Sequence, residues 1–306
     1  MYLSSVQSVL ALLLALNLSL CLAAPPSIGV AVTRGNFSID QSSVRGNATV
    51  FDGSSIETGA GLSQLQLNNG AKLQLGADTK GKVYSNRLIL ERGIGEVESG
   101  KDFQVEALNL RVDSKSGARV AVRNGKTVEV AALTGAVRVS TANGIVVANV
   151  LPGTVLSFDP QAAGASAPST MTGCLQKSGT AYLLKDETSN VTVELQGAGL
   201  EGQVGKRVQV TGAIAAGVSA AGGASQVVKV SNLKVLANKC SSPAGAAAAG
   251  GAAAGGAAAG AAAGGAAAAG LSTAVIAGIV IAAGAGLAIG LAVALSDDDQ
   301  TSPSSR

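Results

Sequence analysis

The stretch Leu65-Gln-Leu-Asn-Asn-Gly-Ala-Lys-Leu-Gln-Leu75 predicts a β-hairpin. Leucine alternates with glutamine on both sides of an Asn-Gly pair, so the leucines of each strand share one face and the turn contains residues that tolerate positive φ. This period-two alternation, interrupted by glycines, extends over residues 28–158 without a helical period. Further strands are predicted at residues 88–91, 103–112, 119–122, 127–131, 136–140, 145–148 and 155–158. Many short, closely spaced strands indicate a β-sandwich, barrel or solenoid.

A second β-patterned unit follows a segment rich in Ala, Ser, Gly and Pro. That segment, residues 160–170, is predicted to be a linker, and the unit spans residues 171–240. Five short strands are predicted within it, at residues 172–176, 181–185, 192–195, 207–213 and 227–236. Five strands of this length are typical of a small barrel.

Four motifs in the first unit carry a family resemblance. They are Gly53-Ser-Ser-Ile-Glu-Thr-Gly59, the leucine hairpin, Leu88-Ile-Leu-Glu-Arg-Gly93 and Phe103-Gln-Val105. Together they resemble the FecR-type envelope domain over residues 28–159, which implies an all-β sandwich or solenoid outside the cytoplasm. In the regulators that named this family, a cytoplasmic anti-sigma segment and a membrane helix precede the domain, whereas this chain begins with an apolar segment. The second unit, through Gly202-Gln-Val-Gly-Lys-Arg-Val-Gln-Val-Thr-Gly212 and Val228-Lys-Val-Ser-Asn-Leu-Lys-Val235, is similar to small bacterial OB-like envelope barrels.

The first residues have the pattern of a secretory signal. Residues 9–23 are almost entirely apolar, and cleavage after Ala23 would leave Cys21 and Ala23 at the two positions that require small side chains. Residues 1–23 are therefore predicted to be a signal peptide. An uncleaved anchor and a lipoprotein modified at Cys21 are the alternatives.

The C-terminal region is predicted to cross a membrane. Residues 271–295 are apolar and uncharged, and as a helix they would cover roughly 37 Å, enough to cross a hydrocarbon core of about 30 Å. The Ala/Gly-rich residues 241–270 would form a spacer before this helix, and residues 296–306 a polar tail. Small residues four positions apart would let two such helices self-associate, although the composition alone could produce the spacing; they are Gly278, Ala282, Gly286 and Gly290. This layout predicts a single-pass protein of the inner membrane with its β domains in the periplasm.

The three cysteines favour one disulfide. Removal of the signal peptide would remove Cys21 and leave Cys174 and Cys240, which would pair in an oxidising compartment. Chain entropy gives such a bond roughly 4 kcal/mol. The alternative is two buried free thiols. Two cysteines without histidine do not complete a zinc shell, so no metal site is predicted.

The composition argues against the common types of catalytic site and against nucleic-acid binding. The chain has no histidine, which excludes the Ser-His-Asp arrangement and the commonest general base. The acidic pairs Asp186/Glu187 and Glu96/Glu98 are interpreted as solvated surface carboxylates. Tyr182 is the single aromatic residue of the second unit, too few for the stacking platforms of a nucleic-acid binder.

These observations predict a non-enzymatic binding, sensing or scaffolding module, with no catalytic residue and no cofactor. Its partner would be a protein or an envelope polymer, in addition to the membrane itself. A FecR-type signal-transduction regulator and an envelope carbohydrate-active enzyme are the alternatives.

We predict that the exported chain begins at Ala24. Mass spectrometry of the N-terminal peptide from the purified envelope protein should find Ala24 as the first residue, because the apolar segment ends in the small-residue pattern that signal peptidase cleaves. A chain that retains Met1 would contradict cleavage, and a lipid-modified Cys21 would support the lipoprotein alternative.

Overall fold

The computed structural model describes residues 26–160, 169–215, 217–240, 273–276 and 279–283. The predicted signal peptide (1–23), spacer (241–270) and polar tail (296–306) lie outside the described residues. So does most of the predicted linker, whose first and last residues belong instead to the flanking strands.

Sixteen strands are present within residues 26–160. In chain order they are β1 (Ser27–Arg34), β2 (Phe37–Ile39), β3 (Ser42–Val44), β4 (Asn47–Phe51), β5 (Ser54–Thr58), β6 (Leu62–Leu67), β7 (Lys72–Leu75), β8 (Lys80–Val83), β9 (Arg87–Glu98), β10 (Phe103–Ala107), β11 (Leu110–Ser114), β12 (Arg119–Asn124), β13 (Val128–Thr134), β14 (Val137–Thr141), β15 (Val146–Val150) and β16 (Val155–Pro160).

These strands form two sheets that share β9. The first sheet has the order β4-β1-β6-β7-β9-β12-β13-β16. The second sheet has the order β3-β2-β5-β8-β9-β10-β11-β14-β15. All neighbours are antiparallel except β9 and β10, which are parallel.

The core lies between the two sheets. Leu65 and Leu73 of the first sheet are buried, as are Leu88 and Leu90 of the second. The sheets approach closely at Gly95 in the first sheet, where a Cβ would lie 3.0 Å from Leu88 Cδ2 and 3.8 Å from Leu90 Cδ1. The apolar residues of the four sequence motifs, except the half-buried Ile89, are therefore core residues, and their period of two reflects burial of one strand face.

Strand β9 changes sheets at Gly93. Residues before it pair with β8 and β10 of the second sheet, and residues after it pair with β7 and β12 of the first. Gly93 has φ +91°, and the hydroxyl of buried Thr79 accepts a hydrogen bond from Ile94 N at 3.0 Å. The amide of buried Asn124 donates to Leu90 O at 2.6 Å. These side chains thus hydrogen-bond to backbone N–H and C=O groups near the point where β9 changes sheets.

The leucine hairpin is present as predicted, whereas the predicted strand over residues 103–112 is not. Leu65 pairs with Leu73 across β6 and β7, and Gly70 has positive φ. Residues 103–112 instead form β10 and the start of β11, which turn back at Leu108, a residue with φ +51°. Leucine is rarely found at positive φ, so the sequence contained no turn signal at this position.

The second unit is a small closed barrel of five strands. Its strands are β17 (Ser169–Ser178), β18 (Ala181–Asp186), β19 (Thr192–Gln196), β20 (Arg207–Ile214) and β21 (Val227–Ala237), close to the predicted bounds. They close in the order β17-β18-β19-β21-β20, and β19 runs parallel to β21. A 3₁₀ turn at Glu201–Gln203 precedes β20.

A disulfide joins the barrel's first strand to the residue that ends its described part. Cys174 in β17 and Cys240 are bonded with their Cα atoms 5.6 Å apart. This agrees with the pairing expected from the sequence. The bond fixes the end of the barrel next to its beginning.

The predicted helix over residues 271–295 is wrong for the part of it that is described. Thr273–Ile276 and Ile279–Ala283 are strands, β22 and β23, which pair with each other. Strand β23 extends the first sheet by pairing with β16. This part of the apolar run is rich in β-branched residues, and an apolar run without alternation does not by itself distinguish a helix from a buried strand. In the described part of the chain, no helix has the length and apolarity needed to traverse a bilayer.

We predict that Gly93→Ala destabilises the protein by about 3 kcal/mol, because positive φ strains a non-glycine residue and the new Cβ would lie 2.6 Å from Thr79 Cα. Gly117→Ala is the matched control: Gly117 has φ +79° with no atom near the added Cβ, so its loss should be about 1 kcal/mol. Urea unfolding of the two variants and wild type measures both effects. Equal losses would contradict a special role for the Gly93 crossing.

Candidate binding cleft

A surface depression lies at one end of the second sheet. This cleft has a volume of about 390 Å³. It is lined by residues of β10, β11, β14 and β15 and of the segments next to them, namely Asn86, Asp102, Phe103, Gln104, Asp113, Ser114, Lys115, Ala136, Val137, Arg138 and Asn149. Phe103 is 2% exposed, so its ring belongs to the core and offers no stacking surface to a ligand.

A polar row crosses the outer face of the second sheet beside the cleft. Gln104, Asp113, Arg138 and Asn149 occupy adjacent positions on four neighbouring strands. Gln104 Nε2 donates to Asp113 Oδ1 at 2.8 Å. Side chains directly opposite each other across a ladder lie close enough to interact, so the row presents amide, carboxylate and guanidinium groups in one line.

The charges in the cleft differ in how they are paired. Lys115 Nζ donates to Asp102 Oδ2 at 2.6 Å, and this hydrogen bond holds the pKa of Asp102 below its ordinary value. Asp102 is therefore an ionised carboxylate and not a proton donor at neutral pH. Arg138 is exposed, and no described carboxylate lies within ion-pair distance of it.

In a second depression, of about 350 Å³, the charged side chains are paired differently. It lies near β2 and β5, and its charged residues include Glu57 and Arg92. These two side chains form an ion pair with each other. Because its guanidinium is already occupied, this depression offers less to a charged ligand than the cleft does.

The barrel contacts the sandwich at the edge of the cleft. Asn149 of β15 donates its backbone N–H to Ser189 O at 2.7 Å and its side-chain amide to Asn190 O at 3.2 Å. Strand β15 is the last strand of the second sheet, so the barrel loop at residues 187–190 covers part of an otherwise unpaired edge. We call these two hydrogen bonds the joint.

The loop of the joint is built around the buried carboxylate of Asp186. Its Oδ2 accepts hydrogen bonds from the backbone of Thr188 and Ser189 and from the Ser189 hydroxyl, and its Oδ1 accepts one from Thr172 N. Asp186 is 1% exposed. Burial raises the pKa of its carboxyl group, while the hydrogen bonds from Ser189 act in the opposite direction. The carboxylate thus fixes a turn, as an Asx side chain does in shorter loops.

Two predictions of solvated carboxylates are wrong. Asp186 was expected at the surface, and Glu96 is also buried at 5% exposure, held by the Arg119 guanidinium. Their neighbours fit the expectation: Glu98 is exposed and paired with Lys72, and Glu187 with Arg207. The sequence shows which strand face a residue occupies, but not which other side chains cover that face.

The packing of two membrane helices through Gly278, Ala282, Gly286 and Gly290 stays a prediction, because only one of these residues is described. Ala282 lies in β23, and Gly278, Gly286 and Gly290 lie outside the described residues. No group of three or more cysteine, aspartate or glutamate side chains suited to a metal ion occurs within the residues that the structure describes. The polar row, in contrast, was not predicted, although its strands were partly recognised.

Comparisons with known proteins found limited similarity. No protein-family model matches the chain, and no curated protein matches it. Two crystal structures, both described as a "putative anti-sigma factor" from Parabacteroides distasonis ATCC 8503, are similar to it with 20% sequence identity and a TM-score of 0.30. Each match covers 34% of this chain, which spans about half (53%) of the length of those chains. Similarity at this level carries no argument about function.

We predict that Asp186→Asn destabilises the protein by about 2 kcal/mol, because an amide has one acceptor oxygen and at least one buried donor would lose its partner. The Asn149 backbone N–H should also exchange with deuterium faster, since the loop that supplies its acceptor is loosened. Asp102→Asn is the control, because the contacts it alters are exposed, and it should leave both quantities nearly unchanged. Unchanged exchange at Asn149 in Asp186→Asn would contradict the link between the carboxylate and the joint.

Proposed function

We propose that this protein is an exported, non-enzymatic binding module of the bacterial envelope, with a FecR-like sandwich and an OB-like barrel. The observation that carries the proposal is the cleft with its polar row. In this row Arg138 has no described carboxylate partner, and the barrel is held at the edge of the cleft by the joint. Convergent polar groups in a concave surface are the usual mark of a ligand site.

The chemistry of the cleft favours a polypeptide segment as the ligand. Amides, a carboxylate and a guanidinium in one line match the alternating donors, acceptors and charges of an extended chain. None of the lining residues exposes an aromatic ring for a sugar to stack on, since Phe103 is buried. This supports a protein partner over an envelope glycan.

Acid–base catalysis finds little support at this site. A glycoside hydrolase needs one carboxyl group that stays protonated near neutral pH. In the cleft the hydrogen bond from Lys115 lowers the pKa of Asp102, so this carboxyl group is ionised near neutral pH. We therefore place the carbohydrate-active alternative behind the binding function.

A FecR-type signal-transduction regulator is the second candidate. The motifs at residues 53–59, 65–75, 88–93 and 103–105 favour it, because together they resemble the FecR-type domain. The same cleft would then bind a signalling protein of the envelope. The two candidates share the site and differ in the identity of the partner.

A photo-crosslinking residue at position 138 should capture a polypeptide partner in intact cells, because Arg138 borders the cleft. The same residue at position 45, which is exposed and does not line the cleft, is the control and should capture about tenfold less. The adduct is identified by mass spectrometry: a structural envelope protein supports the main proposal, and a sigma-factor regulator or receptor supports the second. Equal yields from the two positions would contradict a site at the cleft.

A further inference from the structure

The apolar hairpin β22–β23 completes the edge of the first sheet. In the register of β23 on β16, Leu156 lies opposite Ala283, Ser157 opposite Ala282, and Pro160 opposite Ile279. Strand β16 pairs with β13 on its other side, and its residues Leu156 and Phe158 are buried. Without the hairpin, β16 would be an exposed edge strand over a buried core, the arrangement most prone to recruit another strand.

The hairpin is connected to the rest of the fold by a long stretch of chain. Residues 241–272 separate it from Cys240, where the disulfide ends the described part of the barrel. At about 3.3–3.6 Å per extended residue, this stretch could reach roughly 100 Å. A stretch of that reach permits pairing with β16 of the same chain and also with β16 of a neighbouring molecule.

We propose that the hairpin is an exchangeable strand and that β16 of one molecule accepts β23 of a second copy of the same chain. Exchange replaces each intramolecular residue pair with the identical intermolecular pair, so it needs no new complementary surface. The two states differ mainly in the entropy of closing the loop within one chain, and this term changes only slowly with loop length. The partner is a second copy because the strand that fits β16 in register is the chain's own.

The fraction of molecules that exchange the hairpin should depend on protein concentration. Intramolecular pairing corresponds to an effective concentration in the millimolar range for a short flexible tether, and this concentration falls as the tether lengthens. Exchange should therefore be slight in dilute solution and substantial where copies are crowded. The result would be a reciprocal dimer in which each first sheet contains a strand from the other molecule.

The test is a register-specific crosslink between full-length chains that carry Cys21→Ser. One tagged chain carries Ser157→Cys and a differently tagged chain carries Ala282→Cys. Directly opposite residues in an antiparallel ladder have Cα atoms within disulfide range. The two chains are mixed in a glutathione buffer, and the disulfide-linked heterodimer is quantified by non-reducing electrophoresis. We expect its fraction to rise at least about tenfold between about 10 µM and about 0.5 mM protein.

Ala283→Cys in place of Ala282→Cys is the matched control, because Ala283 lies opposite Leu156 and is displaced by one position. A heterodimer no more abundant than with this control, at both concentrations, would overturn the exchange. One chain carrying both Ser157→Cys and Ala282→Cys should close an internal disulfide in dilute solution. Failure of that closure would contradict the pairing of β23 with β16 and the proposal with it.

Discussion

The change of sheet within β9 is the constraint on which the sandwich depends. One continuous strand contributes to both layers, so the direction of the chain at Gly93 sets the position of each sheet against the other. A positive φ lets the backbone turn there, and the side chains of Thr79 and Asn124 replace the ladder hydrogen bonds lost at the turn. Strands β8 and β10 pair with its first half and β7 and β12 with its second half, and the remaining strands of each sheet continue outward from these four.

In the barrel, too, a buried side chain fixes the path of the backbone through hydrogen bonds. A buried carboxylate, Asp186, gathers the donors of one tight loop, and this loop presents the carbonyls of Ser189 and Asn190 to Asn149. A buried charge is tolerable only when several hydrogen bonds satisfy it, as they do here. Because the joint ends at the strand that borders the cleft, the internal packing of the barrel bears on the geometry of the proposed binding surface.

Sheet edges connect the fold to the proposed functions. Strand β15 is covered in part by the barrel loop, and β16 is covered by the apolar hairpin β23. Both covers come from later parts of the chain than the strands they protect. An edge covered by a distant segment can be exposed again without unfolding the core, which makes edges natural places for interaction between proteins.

The sequence by itself determined the strand-rich class, the leucine hairpin, the approximate strands of the barrel and the apolar core positions, because each depends on local alternation and turn chemistry. It also indicated the disulfide, because two cysteines remain after removal of the signal peptide and the expected compartment is oxidising. It did not reveal the turn at Leu108, where a leucine adopts positive φ, or the burial of Asp186 and Glu96. Nor did it reveal that Val280 and its neighbours form a strand. The tertiary structure alone decided these points and brought Gln104, Asp113, Arg138 and Asn149 into one row, because non-local pairing and coverage are properties of residues far apart in the chain.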